Sequence, residues 1–348
     1  MCGKYDKGRG IETIFEYHAK KRFLAELAWD EFYLKGRLDI TRDSLEVFLK
    51  IYTKKYSWDE GSLIRFVAEI ERSGLLRFDD KVSFWHRSFL DFFVAFRISE
   101  RRTEYPTLDK DIVNIYFDDM WTDVAFYYIG IQRELNQDII AALEEEPSDS
   151  FGKCLLKILI GRLLQAGWHT PSQEKIRAIE IGLKNVEEIR HYVDEMLSSS
   201  KMQLPTIFSD FIYMAACEYS FGSRTMLAET ASICNKLVDS CDLIALRNCL
   251  LLLWAQRWRL PEDEKNQTAK QLLDSLVKLE IGGKLTVRDK FVTLFILEQV
   301  EKENKEVLRS IKRKIDRTKK LYPGEMQRLL PPLKTKMRLR LRRRRDLS

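Results

Sequence analysis

Glycine and proline are scarce in this sequence, with 15 Gly and 8 Pro among 348 residues. Leu, Glu, Lys, Ala and Arg are abundant, and these residues favour helices over a sheet-rich fold with many turns. Hydrophobic residues make up 45% of the chain, which is enough to fill the cores of two or three domains. The composition therefore predicts a folded, mainly helical protein.

Metal-ligand spacing and long apolar runs are also missing. The six cysteines include no Cys-x-x-Cys pair, and the four histidines form no His-x-x-x-His pair, so we expect reduced thiols and no metal site. The chain shows no signal peptide, and its most apolar run, Cys249 to Ala255, is far shorter than the roughly 20 residues of a membrane span. These features predict a cytoplasmic protein with no membrane span.

Catalytic signatures are absent as well. The chain has neither the Gly-x-x-x-x-Gly-Lys-[Ser/Thr] loop that cradles phosphates nor a Gly-x-Gly-x-x-Gly motif. Acidic pairs such as Asp79-Asp80 and Asp118-Asp119 lie in polar turns or helix faces, where solvated or capping roles are commoner than acid–base catalysis. We therefore predict no catalytic residue, and no cofactor bound by this chain alone.

Positive charge is concentrated near the C-terminal end. Residues 302–348 carry 18 Lys or Arg against 5 Asp or Glu, a net +13, so residues 1–301 sum to −7. The densest part contains four consecutive arginines, Arg342, Arg343, Arg344 and Arg345. A solvated chain end accounts for such a run, and weak contact with RNA or anionic lipid is the alternative.

The first third of the chain has the pattern of three helices. Residues 1–10 are polar and predict a linker or a severed end. Apolar residues at helical spacing predict helices over residues 11–34, around Leu45–Tyr52 and over Ser62–Arg72. The residues expected to cap or end these helices are Gly36, Thr41, Asp43 and Gly74.

A hairpin and an aromatic helix complete this domain. Two β-prone runs, Leu75–Phe78 and Val82–Trp85, are joined by three polar residues and predict a β-hairpin. Together with the three helices, the hairpin predicts a winged-helix domain over residues 11–104. The repeat i, i+3, i+4, i+7 then predicts a helix with one buried stripe, formed by Phe89, Phe92, Phe93 and Phe96.

The rest of the chain predicts helices joined by short polar breaks. The predicted helices lie near 111–131, 136–145, 151–166, 172–196, 205–219, 224–239, 241–258, 263–279, 287–301 and 301–320. No repeat of fixed period is present, so residues 105–325 predict an irregular, solenoid-like helical region. Residues 326–348 form the basic tail. The expected fold class is mainly α: a winged-helix domain with a small β-hairpin, then this helical region.

One stretch carries a family resemblance. The sequence RSGLLRFDDKVSFWHRSFLDFFVAF, Arg72 to Phe96, resembles the end of the winged-helix domain in NACHT ATPases of the STAND class. That family has a phrase F-x-H-x-x-F-x-[DE]-[FY]-[FL]-x-A, filled here by Phe84, His86, Phe89, Asp91, Phe92, Phe93 and Ala95. KRFLAELAW, Lys21 to Trp29, is similar to the helix that opens the same domain. The resemblance covers about residues 11–100, and the family's preceding P-loop half is missing from this chain.

The resemblance implies a regulatory function. His86 matches the family's histidine that reaches the β-phosphate of bound ADP and holds the molecule closed, although a histidine that only caps the helix or packs beneath the hairpin would have the same spacing. ADP or ATP would bind only together with a P-loop NTPase domain, missing or separately encoded. The helical region would recognise a protein trigger. In bacteria, proteins of this kind often serve in defence against phage.

Two other functions are compatible with the sequence. One is a stand-alone helical scaffold that binds protein through a concave face. The other is a nucleic-acid binder that uses the hairpin and the basic tail. The charged residues of the predicted third helix, Arg65, Glu69, Glu71 and Arg72, sum to zero, and this balance is poorly suited to a phosphate backbone.

Overall fold

The computed structural model describes residues 15–102, 108–199, 207–238, 242–281 and 285–300. Over these ranges the chain is mainly helical with one small antiparallel sheet, as the composition predicted. None of the helices in these ranges combines the length and the apolar character needed to cross a bilayer. The chain divides into two compact units, residues 1–142 and 143–348.

The first unit contains helices and the sheet. The helices are α1 (Tyr17–Leu27), α2 (Arg42–Tyr56), α3 (Glu60–Arg72), α4 (Arg87–Glu100), α5 (Leu108–Tyr116), α6 (Thr122–Gln132) and α7 (Gln137–Glu145), the last of which crosses the division between the units. The strands are β1 (Asp39–Thr41), β2 (Leu76–Phe78) and β3 (Lys81–Phe84). The strand order is β1-β3-β2, and both pairs are antiparallel. β1 was not predicted, because three residues are too few for an alternating pattern.

Capping residues set several helix ends as predicted. The Thr41 side chain accepts a hydrogen bond from the Ser44 amide at 3.1 Å and begins α2. Gly36 and Gly74 have φ values of +59° and +69°, a conformation that favours glycine. Gly74 therefore ends α3 and directs the chain into β2.

An aromatic cluster joins the first three helices. Phe23 of α1 is 2% exposed, and its ring meets those of Phe48, Tyr52 and Phe66 edge to face at centroid distances of 5.8, 5.2 and 5.1 Å. Aromatic pairs of this geometry contribute about 0.5–1.5 kcal/mol each beyond the burial of their area. The cluster fixes α1 against α2 and α3, the elements that support the sheet.

The predicted aromatic stripe of α4 is only partly buried. Phe93 is 5% exposed, but Phe89, Phe92 and Phe96 are half-buried. Phe92 and Phe96 instead stack on each other at the edge of the core, with ring centroids 6.3 Å apart. The Lys21 ammonium lies 3.4 Å from the Phe96 ring centroid and covers its face, so a cation takes the place of apolar packing there. The fully buried face consists of Leu90, Phe93, Val94, Ala95 and Ile98.

A wider π-helical turn, Ala28–Tyr33, follows α1. The Leu34 amide bonds the Trp29 carbonyl at 3.0 Å, five residues back, rather than four as in an α-helix. The turn stacks the rings of Trp29 and Tyr33 at a centroid distance of 4.8 Å. No periodicity in the sequence predicts this π-helical turn.

The second unit consists mainly of helices in its described residues. Its helices are α8 (Phe151–Ile158), α9 (Gly161–Ala166), α10 (Ser172–Lys184), α11 (Val186–Ser199), α12 (Ile207–Phe221), α13 (Leu227–Val238), α14 (Leu243–Gln256), α15 (Glu262–Ile281) and α16 (Val287–Val300), with a 3₁₀ turn at Arg224–Met226. The predicted helix 301–320 and the basic tail lie outside the described residues.

Three predicted helices are broken in two. The predicted helix 151–166 is interrupted between Ile158 and Gly161, where the Ser220 hydroxyl accepts from the Gly161 amide at 2.9 Å and donates to the Ile158 carbonyl at 2.6 Å. Since the breaking residue comes from α12, local sequence could not predict it. The predicted helix 172–196 breaks at Asn185, and the predicted helix 111–131 breaks between α5 and α6.

Candidate functional site

His86 lies at the junction of the sheet and α4. It is the exposed N-cap of α4, with an extended backbone (φ −133°, ψ 139°). Its Nδ1 accepts from the Ser88 amide at 3.2 Å and lies 2.6 Å from the Ser88 hydroxyl oxygen. A neutral imidazole that accepts through Nδ1 carries its hydrogen on Nε2. The capping interaction therefore leaves an Nε2–H donor on the ring.

The surroundings of this ring suit an anion in two respects. The helix dipole is positive at this end of α4, although the Ser88 and Phe89 amides already donate to the His86 ring nitrogen and the His86 carbonyl. The neighbouring Trp85 is 66% exposed, so the surface beside the ring is open to a second molecule. An acceptor placed here would meet both the imidazole and the start of α4.

Arg87 ties the start of α4 to the loop before α6. Its Nε donates to Asp91 at 2.7 Å, and Nη2 donates to the Met120 carbonyl at 2.5 Å. Its guanidinium carbon lies 4.3 Å from the centroid of the Trp121 ring. Arg87 was not among the predicted site residues; the i, i+4 spacing of Arg87 and Asp91 was the available signal.

Asp91 is a buried acid next to this histidine. Asp91 is 2% exposed, and burial raises the pKa of its carboxyl group to about 6. Arg87 opposes the rise by charge and hydrogen bonding, Asp123 adds to it, and His86 opposes it slightly. The start of α4 thus contains a carboxyl group that changes charge not far below neutral pH.

The other predicted features fall in different places. The basic residues Arg342, Arg343, Arg344 and Arg345 lie outside the described residues. In the part of the chain that the structure describes, no group of three or more His, Cys, Asp or Glu is arranged to hold a metal ion. Its cysteines Cys154, Cys217, Cys234 and Cys249 are free and buried, and burial raises the pKa of the Cys217 thiol to about 12.

No family model matches the chain, and comparison with curated proteins and with solved structures found no similar protein.

The exposed side of α3 offers little to DNA. In the sequence, Glu69 is one of the charged residues of this helix. In the structure Glu69 is buried and forms an ion pair of 2.8 Å with the buried Lys20. The exposed charged residues Arg65, Glu71 and Arg72 sum to only +1. Ile64 lies among them and is 65% exposed. A large aliphatic side chain among few basic ones lacks the phosphate contacts on which DNA affinity depends.

The second unit contains a buried ionic cluster. Its arginines are Arg190, Arg247 and Arg288, and its acids are Glu187, Asp194, Asp210 and Asp289. Arg288 bonds Asp194 at 2.6 Å and Asp210 at 2.5 Å, while Arg247 bonds Asp289 at 2.8 Å. Burial raises the pKa of Asp210, against the opposing effect of Arg288. The cluster connects α11, α12, α14 and α16 and is a structural element of this unit.

Proposed function

We propose that this chain is the regulatory and sensing portion of a NACHT-type signalling ATPase and is not catalytic by itself. The order α1-β1-α2-α3-β2-β3, with a three-stranded antiparallel sheet, is compatible with the winged helix that we propose for this part of the chain, and it supports the proposal. ADP or ATP would bind mainly to a P-loop NTPase domain that this chain lacks. The helical region would recognise a protein trigger, and the resemblance suggests a role in defence.

The observation that carries the proposal is the unequal burial of the residues in the family phrase. Phe84, Asp91, Phe93 and Ala95 are at most 7% exposed, whereas His86 is exposed at the start of α4. Packing in the core explains the buried residues of the phrase. The exposed histidine is not explained by packing. In addition to its role as the N-cap of α4, it carries an Nε2–H donor that suits the β-phosphate of an ADP held by a partner domain.

The first test separates the capping role of His86 from its role toward nucleotide. Asparagine caps helices well but has no imidazole, so His86→Asn should preserve stability and release ADP faster from a complex with the P-loop domain. His86→Ala should release ADP faster and also lose about 1 kcal/mol of stability. ADP dissociation is followed with a fluorescent analogue, and unfolding with urea.

The experiment has two controls, one for stability and one for catalytic activity. Phe93→Ala should cost about 3–5 kcal/mol through reduced burial and the cavity left behind, which marks the scale of a core defect. The purified chain without a P-loop domain should show no ATP turnover. Unchanged ADP dissociation in His86→Asn would refute the nucleotide role, and turnover by the isolated chain would refute the non-catalytic assignment.

A stand-alone protein-binding scaffold is the second candidate. It is favoured by exposed aromatic residues of the second unit: Trp258 is 74%, Tyr219 60% and Trp168 54% exposed. Large aromatic side chains at a surface are typical of protein interfaces. A P-loop reading frame beside this gene would favour the first candidate, and its absence the second.

A further inference from the structure

A cleft of about 250 Å³ opens in the first unit beside the π-helical turn. It lies between that turn, the end of α4 and α5, and its apolar wall includes the buried side chains of Ile98 and Leu108. The volume is several times the ~30 Å³ share of one water molecule and just below the roughly 300–1,000 Å³ typical of drug-sized pockets. It suits a small ligand or one long side chain.

Two aromatic rings line the cleft. Trp29 and Tyr33 are half-buried, and their rings stack with an interplanar angle of 23°. Trp121 meets Tyr33 edge to face at a centroid distance of 5.0 Å and so helps to fix the position of this ring. The faces of such rings are electron-rich, and they attract a cation more than an anion.

The polar lining adds negative charge. Asp111 and Asp118 line the cleft together with one arginine, Arg101, so the lining residues of the described chain carry one excess negative charge. Tyr33 and both carboxylates line the same cleft. Burial raises the pKa of the Tyr33 hydroxyl, and the charges of Asp118 and Asp111 raise it further. The phenol therefore stays neutral and adds no charge of its own.

We propose that this cleft binds an organic cation of the guanidinium or alkylammonium class, either a free amine or a basic side chain of a peptide. Asp118 Oδ1 already accepts from the Met120 and Trp121 amides at 2.8 and 3.2 Å, so the two carboxylates attract the cation through their charge. The face of a planar or alkylated cation can contact the rings while its alkyl part meets Ile98. A free anion would meet the excess negative charge instead. The proposal does not depend on the function proposed above, since none of its residues belongs to the family phrase.

The test uses agmatine as the probe and the full chain, with calorimetry as the measurement. N-butylurea is the uncharged ligand control: it keeps the butyl chain but lacks both the guanidinium and the terminal ammonium of agmatine, and it should bind at least tenfold more weakly. Asn114 lies on the exposed rim of the cleft, so it can be changed without disturbing a core. Asn114→Asp should tighten agmatine binding about threefold and Asn114→Lys should weaken it by a similar factor.

Further variants distinguish this site from general electrostatic attraction. Gln173→Lys adds the same charge at an exposed position of the second unit and should leave agmatine binding unchanged. Trp29→Leu should weaken binding at least tenfold, because it removes a ring of the wall. The proposal is overturned if agmatine and N-butylurea bind equally, if neither binds, or if both Asn114 variants leave the affinity unaltered.

The same titration identifies the source of the cation. The tetrapeptide Ala-Ala-Arg-Ala, blocked at both ends, is compared with agmatine. Tighter binding of the peptide supports the proposal with a protein side chain as the natural ligand. Binding of agmatine as tight or tighter supports it with a free amine.

Discussion

Asp91 is a carboxyl group that folding makes harder to ionise. Its pKa is about 6 in the folded chain and about 3.9 in an unfolded one. The native state therefore holds a proton more tightly, so this residue's contribution to stability is complete below pH ~4 and is lost as the pH rises through 6. The loss is on the order of 2–3 kcal/mol, since each pKa unit corresponds to about 1.4 kcal/mol.

Asp91→Asn should remove this dependence. We expect the free energy of unfolding of the wild type to fall relative to that of the variant between pH 4 and pH 7. Asp80→Asn, a change in an exposed loop, is the control and should leave the profile unaltered. Urea unfolding at steps of half a pH unit measures both. Parallel profiles for the wild type and Asp91→Asn would show that Arg87 fully compensates the burial.

For single residues, the sequence predicted those structural features whose cause lies in adjacent residues. Gly36, Gly74 and Thr41 end or begin elements as predicted, because a left-handed conformation and a capping oxygen depend on adjacent residues. The link from Arg87 to the Met120 carbonyl spans 33 residues and has no local pattern. The buried ion pair between Glu69 and Lys20 also has no local pattern, and the sequence suggested that Glu69 is a surface charge.

Among the elements, the ionic cluster gives the sharpest prediction. Arg288→Met removes the closest cationic partner of the buried Asp210 and leaves it the longer pair with Arg190, at 3.9 Å. The change should cost about 3–5 kcal/mol, since a poorly compensated charge stays in the interior. The double variant Arg288→Met with Asp210→Leu should recover most of this loss. Arg177→Met is the control, because it breaks an exposed pair with Glu144 and should cost at most about 1 kcal/mol. Urea unfolding of all variants measures the differences, and equal costs for Arg288→Met and Arg177→Met would contradict the prediction.

Helix existence was predictable at this scale, but helix interruptions were not. Apolar spacing predicted the mainly helical chain, yet Ser220 interrupts one predicted helix from 59 residues away along the chain. The π-helical turn that follows α1 is set by packing in three dimensions as well. It creates the pairing of Trp29 with Tyr33, and so the proposed cation site could not be predicted from the sequence, in contrast to the position of His86.

For the whole molecule, the dominant sequence feature is its uneven charge. Residues 1–301 are net negative and residues 302–348 carry +13. Any RNA binding should reside in the tail, because each neutralised phosphate releases counterions and makes affinity salt-dependent. Deletion of residues 334–348 should reduce the slope of log K against log[salt] for a single-stranded RNA, by about 0.7 for each phosphate that the tail neutralises.

The measurement is a fluorescence-anisotropy titration of one RNA oligomer at several salt concentrations. Replacing Arg342, Arg343, Arg344 and Arg345 by Gln is the milder control, and it should lower the slope by a smaller amount than the deletion. An unchanged slope after deletion would place the RNA-binding residues in the rest of the chain and revive the nucleic-acid hypothesis.

The small sheet limits how copies of this chain could associate. Both edge strands, β1 and β2, are three residues long, and the Arg42 guanidinium donates to the Phe78 carbonyl at 3.2 Å and to the Asp79 carbonyl at 2.9 Å, where β2 ends. An incoming strand would find few free backbone groups, and short edges of this kind discourage edge-to-edge aggregation. An assembly that uses the described part of the chain would therefore form through helix faces rather than by extending the sheet.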